Sequence, residues 1–468
     1  MIAKTELDMT SGSIPKKMLR FAIPLILSSW LQLSFNLADY IVCNYYVNEL
    51  AVGAIGATGS LSSLIVDLFI GFAVGVNVVM GKAYGAKNKS QGEKTIGSST
   101  LLAIVSGIFL AIIGCSMAKI FLGWMQTPST MIDMSTTYMI IYFAGVPFLL
   151  LYNFGAACMR GMGDTIKPFI FLTIGGVINV CLNLLFVVPF QMGVAGLALA
   201  TIISEFISAL LVYISLFRNK GFARFSFKTC RFHKEETIEI LRIGIPAGIQ
   251  NAMFDIANVI IQSNINSFGE EVIAGDSAAS RVNGYAYNGM DAFAQAGVAF
   301  IAANYGNKNK DYIKKSFKWA VIFSLIADVV LVGFEMIFRR QLLGLMVQNE
   351  EAIQTGELNI YITMGTHTLM ALVDVLAACE RGLGESFLPA LVSFIGICVV
   401  RLVYIYTFFK LPEFHTMAYL YATYPISWLI TAIAHAICCS FVFKKKFMEL
   451  DIEAAKKNQT AIINPDKH

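Results

Sequence analysis

The chain alternates between long apolar runs and short polar breaks. The first long run, Leu19 to Cys43, carries polar residues at helical spacing. Gln32, Asn36 and Asp39 fall at i, i+4 and i+7, so on a helix they make one polar stripe along an apolar cylinder. A carboxylate within a membrane span costs roughly 2.5 to 3.5 kcal/mol on insertion scales and turns toward protein or a water-filled cavity. Asp39 is therefore read as functional. An acid merely solvated at the headgroups would not need two amides beneath it.

Similar runs recur near 51–80, 95–122, 132–159, 168–188 and 193–217, then near 237–267, 272–303, 316–338, 352–379, 387–409 and 417–443. A bilayer core of about 30 Å takes about 20 apolar residues per helix, so these runs predict twelve spans. They lack the alternation of a membrane barrel. The breaks after residues 43, 188 and 267 are short enough for tight turns.

Composition agrees: 56% of the 468 residues are apolar, 14% are charged and the mean hydropathy is +0.66. This excludes a soluble protein. The apolar run behind Lys16 and Lys17 is too long for a cleaved signal peptide, so the amino terminus is expected to be retained. The nine cysteines are scattered, most of them inside spans, with no metal-ligand spacing; they read as packing residues. Net charge is +4, but its placement carries the meaning and does not suggest nucleic acid.

With the amino terminus inside, the outer segments hold only Lys119, Arg339, Arg340 and Lys410, while Arg281 and Arg401 fall within spans. The remaining lysines and arginines gather on the inner side, which places both termini in the cytoplasm. Outer segments are acidic or neutral, as at Glu49, Glu270 and Glu271.

The stretch between the sixth and seventh spans is basic and reads as a linker. The organisation expected is an amino-terminal six-helix lobe over 1–217, a cytoplasmic linker over 218–236, a second six-helix lobe over 237–443 and a polar cytoplasmic tail over 444–468. Lys444 to Lys446 read as a positive-inside anchor and the residues beyond as a flexible end.

An internal repeat supports the two lobes. Tyr84, Gly85, Lys87, Asn88 and Lys89 recur as Tyr305, Gly306, Lys308, Asn309 and Lys310, an offset of 221. Arg160, Gly161, Gly163, Asp164 and Pro168 recur as Arg381, Gly382, Gly384, Glu385 and Pro389 at the same offset, and Leu19, Arg20 and Pro24 recur as Leu241, Arg242 and Pro246 at 222. Six spans are an even number, so the repeats run parallel, about an axis along the membrane normal, with a central cavity between bundles. In the repeated inner loops, glycine suits tight turns, proline suits the first turn of the next helix, and each arginine is expected to cap backbone or pair with the acid that follows.

Function is sought where the two halves differ. Asp39 falls opposite Ile261. Asn179 and Asn183 fall opposite Val400 and Tyr404, and Thr201 and Glu205 opposite Ala422 and Ile426. Together with Asn153, these residues predict a polar pocket within the first bundle. The plainer reading is that such groups tie helices together at about 0.6 kcal/mol per bond, which suits Thr201 alone better than the set with Asp39.

The second half has Asp255, Asp276, Arg281, Asp291, Asp328, His367, Asp374 and Arg401, with Asn251, Asp255, Asn258 and Gln262 on one face of span seven. With both signs present, internal ion pairs are expected, including an acidic partner for each of Arg281 and Arg401. Asp67, on one face with Ser60 and Ser63, is a candidate to line the cavity, and Asp255 and Asp374 are candidates for cavity or coupling roles. His367 and His435 read as bonded core histidines rather than proton relays.

On its twelve spans in two halves, on Pro24 with an aspartate fifteen residues later, and on Ala83 to Lys89 and Arg160 to Pro168, the chain resembles the multidrug and toxic compound extrusion (MATE) family. The likeness is greatest to its bacterial DinF-like branch and covers residues 15–445. The resemblance implies an all-α polytopic membrane protein, a V-shaped pair of six-helix lobes in a bacterial plasma membrane. Such a protein works by alternating access without a cofactor and exports cationic small molecules against H+ or Na+. It is expected to be a monomer and not an enzyme. It implies Asp39 as the coupling acid, a candidate Na+ position, with Asn153, Asn179 and Thr201 beside it. A second acid of that branch is Asn183 here, which puts a two-carboxylate site in doubt; Glu205, one turn from Thr201, is a candidate to replace its charge, as Gln32 and Asn36 are candidates to line the site.

Two other readings compete. A flippase of a lipid-linked or polar lipid would favour a large basic cavity, for which the spans offer Arg281 and Arg401. An intramembrane enzyme would need a paired-acid or metal spacing, and none is present in the sequence.

Overall fold

The computed structural model describes residues 5–125 and 127–463, and their side chains except at positions 49, 57, 60, 61 and 457–463. The Glu49 and Ser60 side chains therefore lie outside the described residues. The apolar runs form twelve helical segments. The first lobe holds α1 (Ile14–Tyr46), α2 (Glu49–Gly85), α3 (Lys89–Trp124), α4 (Ile132–Gly161), α5 (Ile166–Val187) and α6 (Gly193–Phe217). The second holds α7 (Lys234–Ile265), α8 (Glu270–Gly306), α9 (Lys310–Gly344), α10, α11 and α12 (Met417–Ile463). In this lobe α10 is Glu350–Thr363 and His367–Gly382 joined by a 3-10 turn, and α11 runs Phe387–Ser393, Phe394–Val399 and Val400–Tyr406 with a π-helical middle. No strand occurs among the described residues.

Ten of these segments are long and apolar enough to cross a membrane by length and composition; α7 and α8 are not. Both are charged and amide-rich, α7 through Asn251, Asp255 and Asn258, α8 through Asp276, Arg281, Asn288 and Asp291. Polar groups at membrane depth must face protein or water, and these two helices line the larger of the two cavities described below.

The repeat is visible in the backbone. Lys87 and Lys308, 221 residues apart, are left-handed at φ 55° and 57°, and Gly163 and Gly384 at 85° and 84°. Asn88 and Asn309 then cap α3 and α9, accepting from the backbone N–H of Gln91 and Tyr312, each at 3.1 Å. Gly85 and Gly306, again equivalent, make a reciprocal contact between the lobes: a Cβ on Gly85 would lie 1.7 Å from the Ala303 carbonyl oxygen, and one on Gly306 2.1 Å from that of Lys82. Only glycine lets the inner ends of α2 and α8 meet so closely. Just above, Gly71 and Gly75 seat α2 against Gly248 and the Ile240 carbonyl of α7. The lobes are thus closed on the side where the basic residues gather.

Residues 5–12 lie across that closed side. Met9 is fully buried, and Asn304 donates to its carbonyl at 3.0 Å. At the other end of the chain, α12 continues through residues 444–463 as helix rather than as a flexible end. It is held by Lys308 to Glu453, Lys310 to Asp451, and Lys445 and Lys446 to Glu385.

Candidate functional site

Two cavities open between the helices and meet at their inner ends. The smaller, of about 490 Å³, lies within the first lobe and is lined by Gln32 and Asn36 of α1, Asp67 of α2, Asn153 of α4, and Thr201 and Glu205 of α6. The larger, of about 790 Å³, belongs mainly to the second lobe and is lined by Asp255, Asp276, Asp291, Asp374, Arg381 and Arg401. Asp67, Ile70, Arg160, Asn288 and Gln295 line both, so the two spaces are continuous there.

Beside the smaller cavity, Asp39 begins a chain of hydrogen bonds across three helices. Asn183 Nδ2 donates to Asp39 Oδ1 at 2.5 Å and is 3.2 Å from Asn179 Oδ1; Asn179 Nδ2 donates to Thr201 Oγ1 at 3.4 Å, and Thr201 Oγ1 donates to the Leu197 carbonyl at 3.0 Å. Asn179 and Asn183 are one helical turn apart on α5, which is why one face can hold both. Thr201 is the member of this chain that also lines the cavity, while Asp39 faces α5 rather than continuing the Gln32 and Asn36 lining. Asn183 is fully buried and its Oδ1 has no partner, leaving one acceptor beside the acid.

Asn153 stands apart from this chain and donates to the Leu149 carbonyl of its own helix at 2.9 Å, with its side chain on the cavity wall. Glu205 also lines the cavity outside the chain, with Oε2 buried and unpartnered. In the second lobe, Asp255 and Asp374 line the larger cavity and each keeps a buried Oδ2 without a partner. Asp276, by contrast, is held by Asn359 at 2.7 Å and Tyr421 at 2.9 Å.

Several expectations are corrected. Neither Arg281 nor Arg401 lies within 4 Å of a described carboxylate. Arg281 stands over the Tyr40 ring, while Arg401 donates to Ser427 and Asn258, each at 3.1 Å, and stacks on Tyr424. Neutral oxygens and a ring face satisfy a guanidinium without a second buried charge. Arg160 and Arg381 do not pair with the acids that follow them: Asp164 takes Thr5 and Lys167, Glu385 takes Lys445 and Lys446, and both arginines turn into the cavities. The larger cavity is mainly the second lobe's, and the cavity candidates Asp255 and Asp374 line it beside the first-bundle pocket. His367 and His435 are buried and bonded as expected, His367 to Asp328 and His435 Nε2 to Ser393 at 2.9 Å.

A further symmetry went unread in the sequence. Asp67 and Asn153 fall, at the offset of 221, on Asn288 and Asp374. The acid and the amide exchange helices between lobes, and all four face the cavities. Applying the offset to every polar position, rather than to Asp39 and its neighbours, would have found them.

Known proteins are similar along most of the chain. The family model described as MatE matches residues 24–185 and again 246–407. The probable multidrug resistance protein YoeA of Bacillus subtilis (strain 168) is 26% identical over 442 residues, 93% of this chain and 95% of its own. A protein named FAD transporter from Shewanella oneidensis is 24% identical, over 69% of this chain and 73% of its own. A solved structure described as the outward-facing conformation of a multidrug resistance MATE family transporter superposes with a TM-score of 0.88 at 20% identity, covering 95% of this chain and 99% of that one.

Proposed function

Because this chain belongs to the MatE family of membrane transporters, we propose that it is a secondary active exporter of lipophilic organic cations, driven by the inward flow of H+ or Na+, with Asp39 as the coupling acid. The observation that carries this reading is the Asp39–Asn183–Asn179–Thr201 chain, which ends on the wall of a cavity. Ionised Asp39 accepts from Asn183. A protonated Asp39 has a hydrogen to donate, and the unpartnered Asn183 Oδ1 is an acceptor beside it. For Na+, the oxygens of Asp39, Asn183, Asn179 and Thr201 are the hard donors such an ion prefers. Either ion neutralises Asp39, and the change is relayed through two amides to the cavity.

Closure on the basic side, through the paired glycines of α2 and α8, leaves the cavities to open toward the other face. Export then requires the ion to bind one arrangement of the lobes better than the other, because a ligand shifts a conformational equilibrium only by its differential affinity. Five aspartates against three arginines on the larger cavity suit a cationic load. The second reading, a lipid flippase, draws on those three arginines and is tested by following transbilayer movement of a fluorescent phospholipid.

Efflux of a fluorescent lipophilic cation from proteoliposomes, with proton and sodium gradients imposed separately, tests the exporter. One gradient should drive wild-type efflux and fail to drive Asp39→Asn. Equal efflux by that variant would remove Asp39 from the coupling role.

A further inference from the structure

Arg160 and Arg381 are the penultimate residues of α4 and α10, at the inner ends of their lobes. Helical side chains lean back toward the amino terminus of their helix, so both guanidiniums point up from the closed side into the space between the lobes. Small neighbours bring them there: Gly161 packs against the Asn77 carbonyl and Gly382 against that of Val298, so α4 and α10 press on α2 and α8 at these points. The Arg160 guanidinium makes no hydrogen bond or ion pair to a described residue, although it lines both cavities. Arg381 spends one nitrogen on Gln250 Oε1 at 3.2 Å, and its Nε is buried without a partner. Asp291, held by Gln295 at 2.6 Å, acts electrostatically on both arginines but lies within 4 Å of neither. Asp374 acts on Arg381 as well, again without an ion pair, so neither guanidinium is bound directly by a described carboxylate. Their unspent donors face one cavity, whose lining also brings acids and aromatic rings, with Asp255, Asp374, Phe254, Tyr287 and Trp428.

We propose that Arg160 and Arg381 form an anion subsite, so that the larger cavity takes aromatic substrates carrying both a cation, set against its aspartates, and a carboxylate or phosphate, held by the two arginines. The proposal rests on the exporter reading for its setting but concerns substrate class, and its two forks match a planar anion bidentately. At about 790 Å³ the cavity accommodates a drug-sized molecule.

Tetramethylrhodamine and its methyl ester differ only in whether the anion is present, and binding of each to purified full-length protein is read by fluorescence polarisation. Arg160→Gln with Arg381→Gln should weaken the free acid about tenfold or more, the worth of a hydrogen bond to a charged group, and leave the ester nearly unchanged. Equal weakening of both dyes, or of neither, overturns the subsite. If the double variant does not fold, wild-type protein decides: phenylglyoxal modification of Arg160 and Arg381, read by peptide mass spectrometry, should be slowed by the free acid and not by the ester, and equal protection overturns the proposal. Dihexanoyl phosphatidylcholine carries the same two charges on a lipid headgroup. Its displacing the free acid assigns the subsite to lipid, and its failure to do so assigns it to soluble compounds. Gradient-driven efflux of the ester, measured in parallel, tests the exporter reading separately.

Discussion

The backbone N–H of Leu7 donates to the Gly163 carbonyl at 3.1 Å, so a segment ahead of the first membrane helix is fastened to the turn between α4 and α5. The same segment is bonded to the other lobe through Asn304 on the Met9 carbonyl and Tyr312 on that of Gly12, at 3.4 Å. Glu6 accepts from Asn219 of the interlobe linker at 2.9 Å. Residues 5–12 therefore brace both lobes where they are closed.

Gly163 and its repeat partner Gly384 offer an internally controlled test of that brace. Both are left-handed, so alanine at either position costs roughly 1–2 kcal/mol in backbone strain. At Gly163 the new Cβ would also stand 2.3 Å from the Leu7 carbonyl oxygen, whereas at Gly384 it meets only the flexible end of Lys82. Limited proteolysis should cut the amino-terminal segment faster in Gly163→Ala than in Gly384→Ala or wild type. Equal cutting in the two variants would mean the segment is not held by this turn.

Lys82 of α2 and Glu239 of α7 form an ion pair at 2.8 Å across the closed side. Each is partly exposed, and such pairs contribute only about 0–1 kcal/mol. Glu239→Gln should leave the melting temperature almost unchanged while modestly raising labelling of cysteines placed at the inner ends of α2 and α8. No change in labelling would confine closure to the glycine contacts and the brace.

Much of this architecture was legible because membrane helices are specified by crude signals: runs of apolar residues, and a repeat carried by Gly85 and Gly306 or by Gly163 and Gly384. The polar character of α7 and α8 was legible too, through Asn251, Asp255 and Asp291. Partners were not. Whether Arg401 meets an acid or Ser427 and Asn258 depends on how helices rotate against each other, which no spacing within one helix reports. Arg160 and Arg381 were misread for a related reason: their positions mark an inner loop, but the lean of helical side chains carries their charges back into the cavity. The amino-terminal brace was hidden by its polarity, with Met9 its single buried apolar anchor.

The exchange of Asp67 and Asn153 for Asn288 and Asp374 predicts that the position of the acid between lobes is partly interchangeable. Asp67 and Asn288 both line the junction of the two cavities. Asp67→Asn should reduce cation efflux, and adding Asn288→Asp should recover part of it, since the junction regains one carboxylate. The check is initial efflux rate in proteoliposomes at matched protein content. A double variant no better than the single would mean that Asp67 acts through its own helix.

Asn183 joins Asp39 to Asn179, and its removal tests whether the chain, rather than the acid alone, links ion to cavity. Asn183→Leu keeps the branched shape, with added bulk, but leaves Asp39 Oδ1 and Asn179 Oδ1 without the shared donor. Buried acceptors stripped of a donor cost about 1–3 kcal/mol, so the melting temperature should fall. The sharper readout is coupling. If the amides relay neutralisation of Asp39 to Thr201, the variant should still bind the cation but show efflux that responds weakly to the driving gradient. Wild-type gradient dependence in a protein that is merely less stable would mean that Asp39 reaches the cavity by another route, through the α1 face that carries Asn36 and Gln32.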